Sequence, residues 1–378
     1  MVTFPPVSIA GSVPVDGIGV VYPDDPTGID AFALDHLVNI AEVNESDITV
    51  GDTLCVFADC FYDMLHNDFP DVNYLDYAGG AAGRVAAQFS SVPFYWSTPN
   101  AAGKKQDYVP VSYANAEYLI NIANLKGHYN VAGITVCAKN HYGSLLRRPD
   151  GPGGEYNLHS EMLSVPGMGH YRPLVDLMGS PHIGGKTLLC LIDGLYAGKH
   201  PIVWEPLRWD TDPFDGDWPS SLFASQDQVA IDSVAFDFLL NEWDESPGPG
   251  ESGADDYLHE AALIPNPPSD ANYDPNHDGG LTESLGVHEH WNNATDKQYS
   301  RNLDPINGTG IQLVTGLYTM GDFEPDGDVD SEDFAVLAAA WRSQPGDGNW
   351  NAACNISESI DGVIDEYDLI VFCENWLN

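Results

Sequence analysis

Basic residues are what this chain has least of: 14 Lys and Arg stand against 57 Asp and Glu, a formal charge of -43 and a pI near 4.1. Neutralising a phosphate backbone or an anionic lipid surface takes clustered Lys and Arg, so nucleic acid is excluded as a partner. Cations are the expected partners, and the acid excess reads either as a solvated, self-repelling surface suited to saline surroundings or as calcium handling. No run of 18 apolar residues occurs, so no membrane span is expected. The start, "MVTFPPVSIAGSVPV", lacks a basic stretch leading into a long apolar one. It reads as an intracellular chain or as one whose export signal has been removed. Cys55, Cys60, Cys137, Cys190, Cys354 and Cys373 include no CxxC pair, which excludes an iron–sulfur cluster and argues against thiolate-bound zinc. Cys137 and Cys190 lie in apolar strand-like runs and are expected as buried free thiols; Cys354 and Cys373 could bridge in an oxidising compartment. There is no GxSxG elbow, Walker loop, HExxH or dinucleotide GxGxxG, so serine-hydrolase, NTPase, zincin and NAD chemistry are all disfavoured.

What is present is enough to fold. A chain of 378 residues that is 43% hydrophobic with nine Trp supports a sizeable core in one large domain or a few smaller ones. From residue 1 to about 243, apolar runs such as "TLCVFADC", "EYLINIANL", "GITVCAK" and "TLLCLIDGLYAG" alternate with helix-like stretches such as "GIDAFALDHLVNIAE" and "DQVAIDSVAFDFLLNEW". That alternation predicts an α/β main domain, over 1–318, with a partly parallel sheet. The second helix-like stretch sets Val229, Ile231, Val234, Phe236, Phe238 and Leu239 among acids, the pattern of an amphipathic helix covering the sheet. Over 244–280, Pro and Gly crowd the chain and predict a surface excursion. Within it Asp274, Asn276, Asp278 and Gly279 imitate the start of a calcium loop, but position 12 falls on Leu285.

One stretch breaks the acidic pattern. From Tyr118 to Pro149 there is no Asp or Glu, while Lys126, Lys139, Arg147 and Arg148 fall inside. A strand "GITVCAK" running through "NHYG" into a turn would put Lys139, Asn140 and His141 at a strand end, where α/β proteins bind ligands. Lys126 and His128, one connection earlier, can approach the same place. Ammonium and imidazole groups suit a carboxylate or phosphate, with His128 or His159 available for proton transfer. The competing reading pairs Lys126 and Lys139 with buried carboxylates such as Asp193 or Asp232, stiffening the core. A second cluster, His288 and His290 in "LGVHEHW", would share one side of a strand with Glu289 facing away. A transition metal there needs a third ligand from His259, Asp193 or Asp232; an ordinary polar loop is the alternative.

The C-terminus repeats itself: "DGDVDSEDFAVLAAAW" realigns on "DGVIDEYDLIVFCENW" at an offset of 35. In the first copy Asp322, Glu324, Asp326, Asp328, Asp330 and Asp333 occupy positions 1, 3, 5, 7, 9 and 12 of an EF-hand-like calcium loop, with Gly327 at the sharp turn and apolar Val329 at position 8. The second keeps Asp361, Gly362, Ile364, Asp365 and Asp368. Strict counting puts Ser357 and Ser359 at positions 1 and 3, and a longer variant starts at Asn355; weaker binding is expected. Each loop runs into an apolar helix-like run whose Trp341 or Trp376 can pack the copies together.

The paired loop-helix over about 322–377 resembles the dockerin module of secreted, complex-forming proteins. That resemblance implies a small all-α EF-hand-like C-terminal domain over 321–378 and an extracellular or cell-surface protein tethered to a cohesin-like partner. Departures are Asp at position 12 of both loops, Glu324 at position 3, and the unlike dipeptides Ser331-Glu332 and Glu366-Tyr367. In the body, "ANLKGHYNVAGITVCAKNHYGSL", "LCLIDGLYAG" and "LFASQDQVAIDSVAFDFLL" resemble domain-of-unknown-function family 362 over about 110–242. The matching positions are Lys126, His128, Gly133, Ile134, Thr135, Lys139, Asn140 and Gly143, then Asp193, Asp227 and Asp232. Some members carry ferredoxin-type Cys clusters that this chain lacks, so electron transfer does not carry over. The reading is an α/β domain that binds, or acts on, a small anionic ligand, delivered by a calcium-binding tail. Its rivals are a non-catalytic scaffold protein and a metal-assisted enzyme built on His288 and His290.

Overall fold

The computed structural model describes residues 7–11, 28–54, 56–77, 79, 82–128, 131–146, 158–163, 167–200, 206–243, 253–314, 321–323, 329–357 and 362–376. The chain forms two compact units, 1–312 and 313–378. In the first, β1 (Val7–Gly11), α1 (Gly28–Asp35), β2 (Ile48–Gly51), α2 (Asp59–Asp68), β3 (Asn73–Asp76) and β4 (Arg84–Ala86) come first. A small antiparallel pair, β5 (Phe89–Tyr95) and β6 (Gln106–Pro110), and α3 (Val111–Asn115) follow. Then come β7 (Tyr118–His128), β8 (Gly133–Thr135), α4 (Cys137–Asn140) and α5 (Pro173–Gly179). The unit finishes with β9 (Thr187–Gly198), β10 (Ser221–Ser225), α6 (Gln228–Glu242), α7 (Ala254–Ala262) and α8 (Ser300–Leu303).

The main sheet has the order β10-β9-β7-β1-β2-β3-β4, with β8 hairpinned onto β7. Strands β4 through β9 along this path are parallel, and β10 is an antiparallel edge. The chain first builds outward from β1 on one side, then returns to lay β7 and β9 on the other. The strand order therefore reverses between β1 and β7. The central strand β7 is buried along nearly its whole length, as expected for a parallel strand covered on both faces. On one face Ile48, Val50, Tyr74, Ile120, Ile122 and Leu191 pack against Leu34, Phe57, Leu65 and Phe69 from α1, α2 and their approaches.

The architecture is mixed α/β, and several local expectations change. "TLCVFADC" forms no strand over its described residues: Phe57 is buried in an irregular stretch that leads into α2. In "GITVCAK" the strand ends at Thr135, and Cys137 and Lys139 sit in the short helix α4. Helix α6 is not amphipathic: Val229, Ile231, Asp232, Ser233, Ala235, Phe236, Asp237 and Leu239 are all buried, because α4, α7, β7 and β10 enclose it. Asp227 caps it, accepting from Val229 N and Ala230 N, both at 2.9 Å. The supposed excursion after 244 contains α7, whose Ala254, Tyr257, Leu258 and Ala261 are buried against α5 and α6. The expected strand at His288 and His290 is not formed; both lie in an irregular segment.

The second unit carries α9 (Ser331–Ala339) and α10 (Glu366–Glu374) around Val329, Leu337, Ala340, Cys354, Ile364 and Phe372. Asp330 and Asp365 cap the two helices, each within a capping box closed by Asp333 or Asp368. Trp341 packs on this core, and Trp376 stacks edge-on against Phe372 at 5.3 Å. Cys354 and Cys373 do not bridge: Cys354 is a buried free thiol in the core, while Cys373 is an exposed free thiol on α10. Cys137 and Cys190 are buried free thiols in the first unit.

Candidate functional site

At the carboxyl end of β7 the register fixes where the basic side chains go. Lys126 faces Thr135 and His128 faces Gly133 across the β7–β8 hairpin. Directly opposed residues of an antiparallel pair point to one side, and residues two apart on a strand share a face, so Lys126, His128 and Thr135 stand together. Lys139 reaches the same place from α4, its Nζ donating to Thr135 Oγ1 at 3.3 Å. Both lysines are buried, with 9% and 5% of their surface exposed. Histidines gather around His128: its ring centroid lies 5.0 Å from that of His200 and 5.6 Å from that of His159, which stacks on Tyr142 at 5.0 Å. His200 and Tyr142 were not singled out in the sequence; His200 follows β9, brought alongside by the pairing of Lys126 with Gly198. Arg147 and Arg148 lie outside the described residues.

Asn140 and His141 have another task. Asn140 Nδ2 donates to Asn121 Oδ1 at 2.7 Å and to Ile122 O at 2.9 Å, clamping α4 to β7. Asn121 Nδ2 in turn donates to Cys137 O at 2.8 Å and meets His141 Nε2 at 3.1 Å. The other ring nitrogen of His141 lies 3.1 Å from Ser144 Oγ, and burial pushes its pKa down to about 4, so the ring is neutral. The Lys139–Asp232 pair is not formed. Asp232 instead caps α4, accepting from Cys137 N and Ala138 N at 2.9 Å each, and from the Tyr257 hydroxyl at 3.0 Å. Burial pushes Asp232 up to about 7 against the pull of these donors. Asp193 lies beside the site, paired with Asn124 of β7, and one of its oxygens accepts from Leu195 N at 3.0 Å.

The second cluster gains its third member from α7. Asp255, in the first turn of that helix, joins His288 and His290, and one ligand atom from each lies within 4.8 Å of the others. Neither Asp193 nor Asp232 takes that place. His288 Nε2 stands 2.9 Å and His290 Nε2 3.2 Å from Asp255 Oδ1. His259 Nδ1 lies 3.2 Å from the same oxygen and 2.9 Å from its own helix carbonyl at Asp255. Hydrogen bonds from the imidazoles hold the Asp255 carboxyl far below the usual range. Asp237 and then Asp255 raise His290 to about 10, whereas burial lowers His288. Glu289 turns away, accepting from Ser300 N, Ser300 Oγ and Ile311 N.

In the tail, Glu324, Asp326, Asp328, Ser359 and Asp361 lie outside the described residues. Asp322, Asp333 and Asp368 are buried. Asp333 Oδ1 accepts from Phe323 N and its Oδ2 from Asp330 N at 2.9 Å. Asp368 Oδ1 accepts from Ile356 N at 2.7 Å and its Oδ2 from Asp365 N at 2.9 Å. Ile356 thus plays the part of Phe323, which makes Asn355, not Ser357, the counterpart of Asp322. Asn355 Oδ1 is buried without a hydrogen-bond partner. The Asp274 turn is closed on itself, Asp274 Oδ1 accepting from Asp278 N at 3.0 Å and its Oδ2 from Gly279 N at 3.4 Å.

Among the described residues, no helix is long and apolar enough to cross a membrane. A family model described as Domain of unknown function (DUF362) matches residues 23–237, a span that starts well upstream of the resemblance read from the sequence and runs from before α1 into α6. No curated protein and no solved structure matches the chain.

Proposed function

The chain belongs to the DUF362 family of domains of unknown function, and from that premise we propose that its α/β unit binds a small anion at the carboxyl end of β7. One observation carries this reading: Lys126 and Lys139 converge on Thr135, with His128 on the same face of β7 and His159 and His200 packed against His128. In open α/β sheets, ligands bind outside the carboxyl ends of the strands, and Lys126 lies at that end of β7, paired with Thr135 of β8 and with Gly198 at the end of β9. Two buried lysine side chains that meet at one threonine hydroxyl suit a carboxylate or phosphate. Lys126 and Lys139 bind the anion, and His128 with His159 is placed to exchange a proton with it. Asn140 acts as a positioning residue for α4.

We take the tail to be a dockerin-like calcium module that tethers an extracellular or cell-surface protein. The matching roles of Asp333 and Asp368, and the orphan oxygen of Asn355 at the head of the second loop, support two cation sites of unequal length. Phe334, Leu337, Ala338, Trp341 and Leu369 line an apolar groove of about 280 Å³ on this unit, and a cohesin-like partner is proposed from the dockerin resemblance alone.

Titration calorimetry with malonate and with inorganic phosphate tests the anion site. The wild type is expected to bind at least one of them saturably, and Lys139→Met to lose that binding by more than tenfold while melting near the wild-type temperature. Equal heats for the two proteins would sink the assignment. A folded variant with no loss would leave the scaffold reading in its place.

A further inference from the structure

We infer that Asp255, His288 and His290 form a site for one divalent first-row transition ion of the zinc class, separate from the anion site. Ser233 has one hydroxyl hydrogen, and the Val229 carbonyl 2.7 Å away can only accept it, so Ser233 Oγ is the acceptor for His288 Nδ1 at 2.9 Å. That fixes the hydrogen of His288 on Nδ1 and turns Nε2 toward Asp255 Oδ1. His290 is fixed in the same sense: its Nδ1 lies 2.6 Å from Asp237 Oδ1, while Asp237 Oδ2 accepts from Trp291 N at 3.0 Å and from the Tyr299 hydroxyl at 2.8 Å. Two imidazoles therefore aim their remaining nitrogens at one carboxylate oxygen, 2.9 and 3.2 Å away.

A single dication answers all three groups at once. Ligand atoms bonded at about 2.0–2.2 Å to one ion stand roughly 3.0–3.5 Å apart, close to the 2.9 and 3.2 Å found here. The outer partners are those of a metal site, since a ligating His usually donates its other N–H to a carboxylate or other acceptor. His259 steers the Asp255 carboxylate and is not counted as a ligand. The His288 side chain is 2% exposed, but those of Asp255 and His290 are 42% and 44% exposed, so one side opens to solvent. Three protein ligands and open positions suit an ion that activates water or polarises a carbonyl. The ligands lie beyond the family match at 23–237, while Ser233 and Asp237 lie at its end.

The test is cobalt(II) titration of the intact, chelator-treated chain with calcium in excess, followed by visible absorption and competition with zinc. One equivalent of cobalt is expected to give ligand-field bands that zinc abolishes. Because His290 is half-exposed, His290→Ala should fold, as circular dichroism will verify, and should lose the bands. Asp237→Asn should weaken zinc binding about 10–100-fold, an effect on the outer partner that a surface site elsewhere would not show. The inference is overturned if the wild type gives no bands, if His290→Ala keeps them, or if they vanish instead in His128→Ala.

Discussion

Replacing Asp232 with Ala strands the Cys137 and Ala138 amides and the Tyr257 hydroxyl, all in residues that are 0–1% exposed. A buried donor left without an acceptor costs about 1–3 kcal/mol, and removal of the carboxylate's own desolvation returns part of that. The loss expected for Asp232→Ala is about 3–5 kcal/mol. Asp232→Asn keeps one side-chain oxygen but turns an NH2 toward remaining donors, and about half that loss follows. Tyr257→Phe removes only one donor and should cost about 1 kcal/mol. Urea unfolding of the intact chain, followed by far-UV circular dichroism, gives these values. Because Asp232 fixes the start of the helix that carries Lys139, Asp232→Asn should also weaken malonate binding while most of the protein is folded. If Asp232→Ala unfolds within about 1 kcal/mol of the wild type, the capping account is wrong, whatever the anion site does.

Other consequences are checked independently. His141 is neutral and buried, with a folded-state pKa near 4 against an ordinary 6.5, so the unfolded chain binds more protons between those values. Its contribution to stability is complete above pH 6.5 and is lost as pH falls toward 4; His141→Gln should flatten that acid limb, and the His141 ring proton signal should not titrate above about pH 5. Asp176, which accepts from Ser97 and Tyr171, is pushed up to about 7 by burial and has the opposite sign. Its contribution is complete below the ordinary carboxyl value and is lost as pH rises through 7, so Asp176→Asn should remove stability change in that window. In the tail, a chelator should lower the melting temperature, Asp333→Ala should lower calcium affinity and tail melting together, and Asn355→Ala should weaken only the second of two calcium-binding steps. A calcium titration identical to wild type in Asp333→Ala would contradict the loop assignment.

Much of the architecture was legible because burial writes itself into composition. The apolar runs of β7 and β9 and the long apolar stretch of α6 are strong signals, and alternating them predicts a parallel sheet. Flanking Pro and Gly mask helix α7 in the sequence, although Ala254, Tyr257, Leu258 and Ala261 recur at i, i+3, i+4 and i+7 and mark its buried face. Apolar Val136 and Cys137 continue the strand pattern of β8 in the sequence, but the chain turns into α4 there; the deciding influence is Asp232, far along the chain, which caps α4. Lys126 and Lys139 stood out as cations in an acid-free stretch, yet His200 could join them only through strand pairing. Likewise His288 and His290 announced a cluster, whereas Asp255 and Asp237 reach it by helix packing that local spacing does not encode.

The central claim, an anion held between Lys126 and Lys139 at the carboxyl end of β7, is tested most directly by crystals soaked in bromide and measured at the bromine absorption edge. The account predicts an ordered anomalous peak beside Thr135, within contact of both ammonium groups, that disappears in the Lys126→Met, Lys139→Met double variant. Ordered bromide elsewhere but not there, or a peak there that survives the double variant, would contradict it.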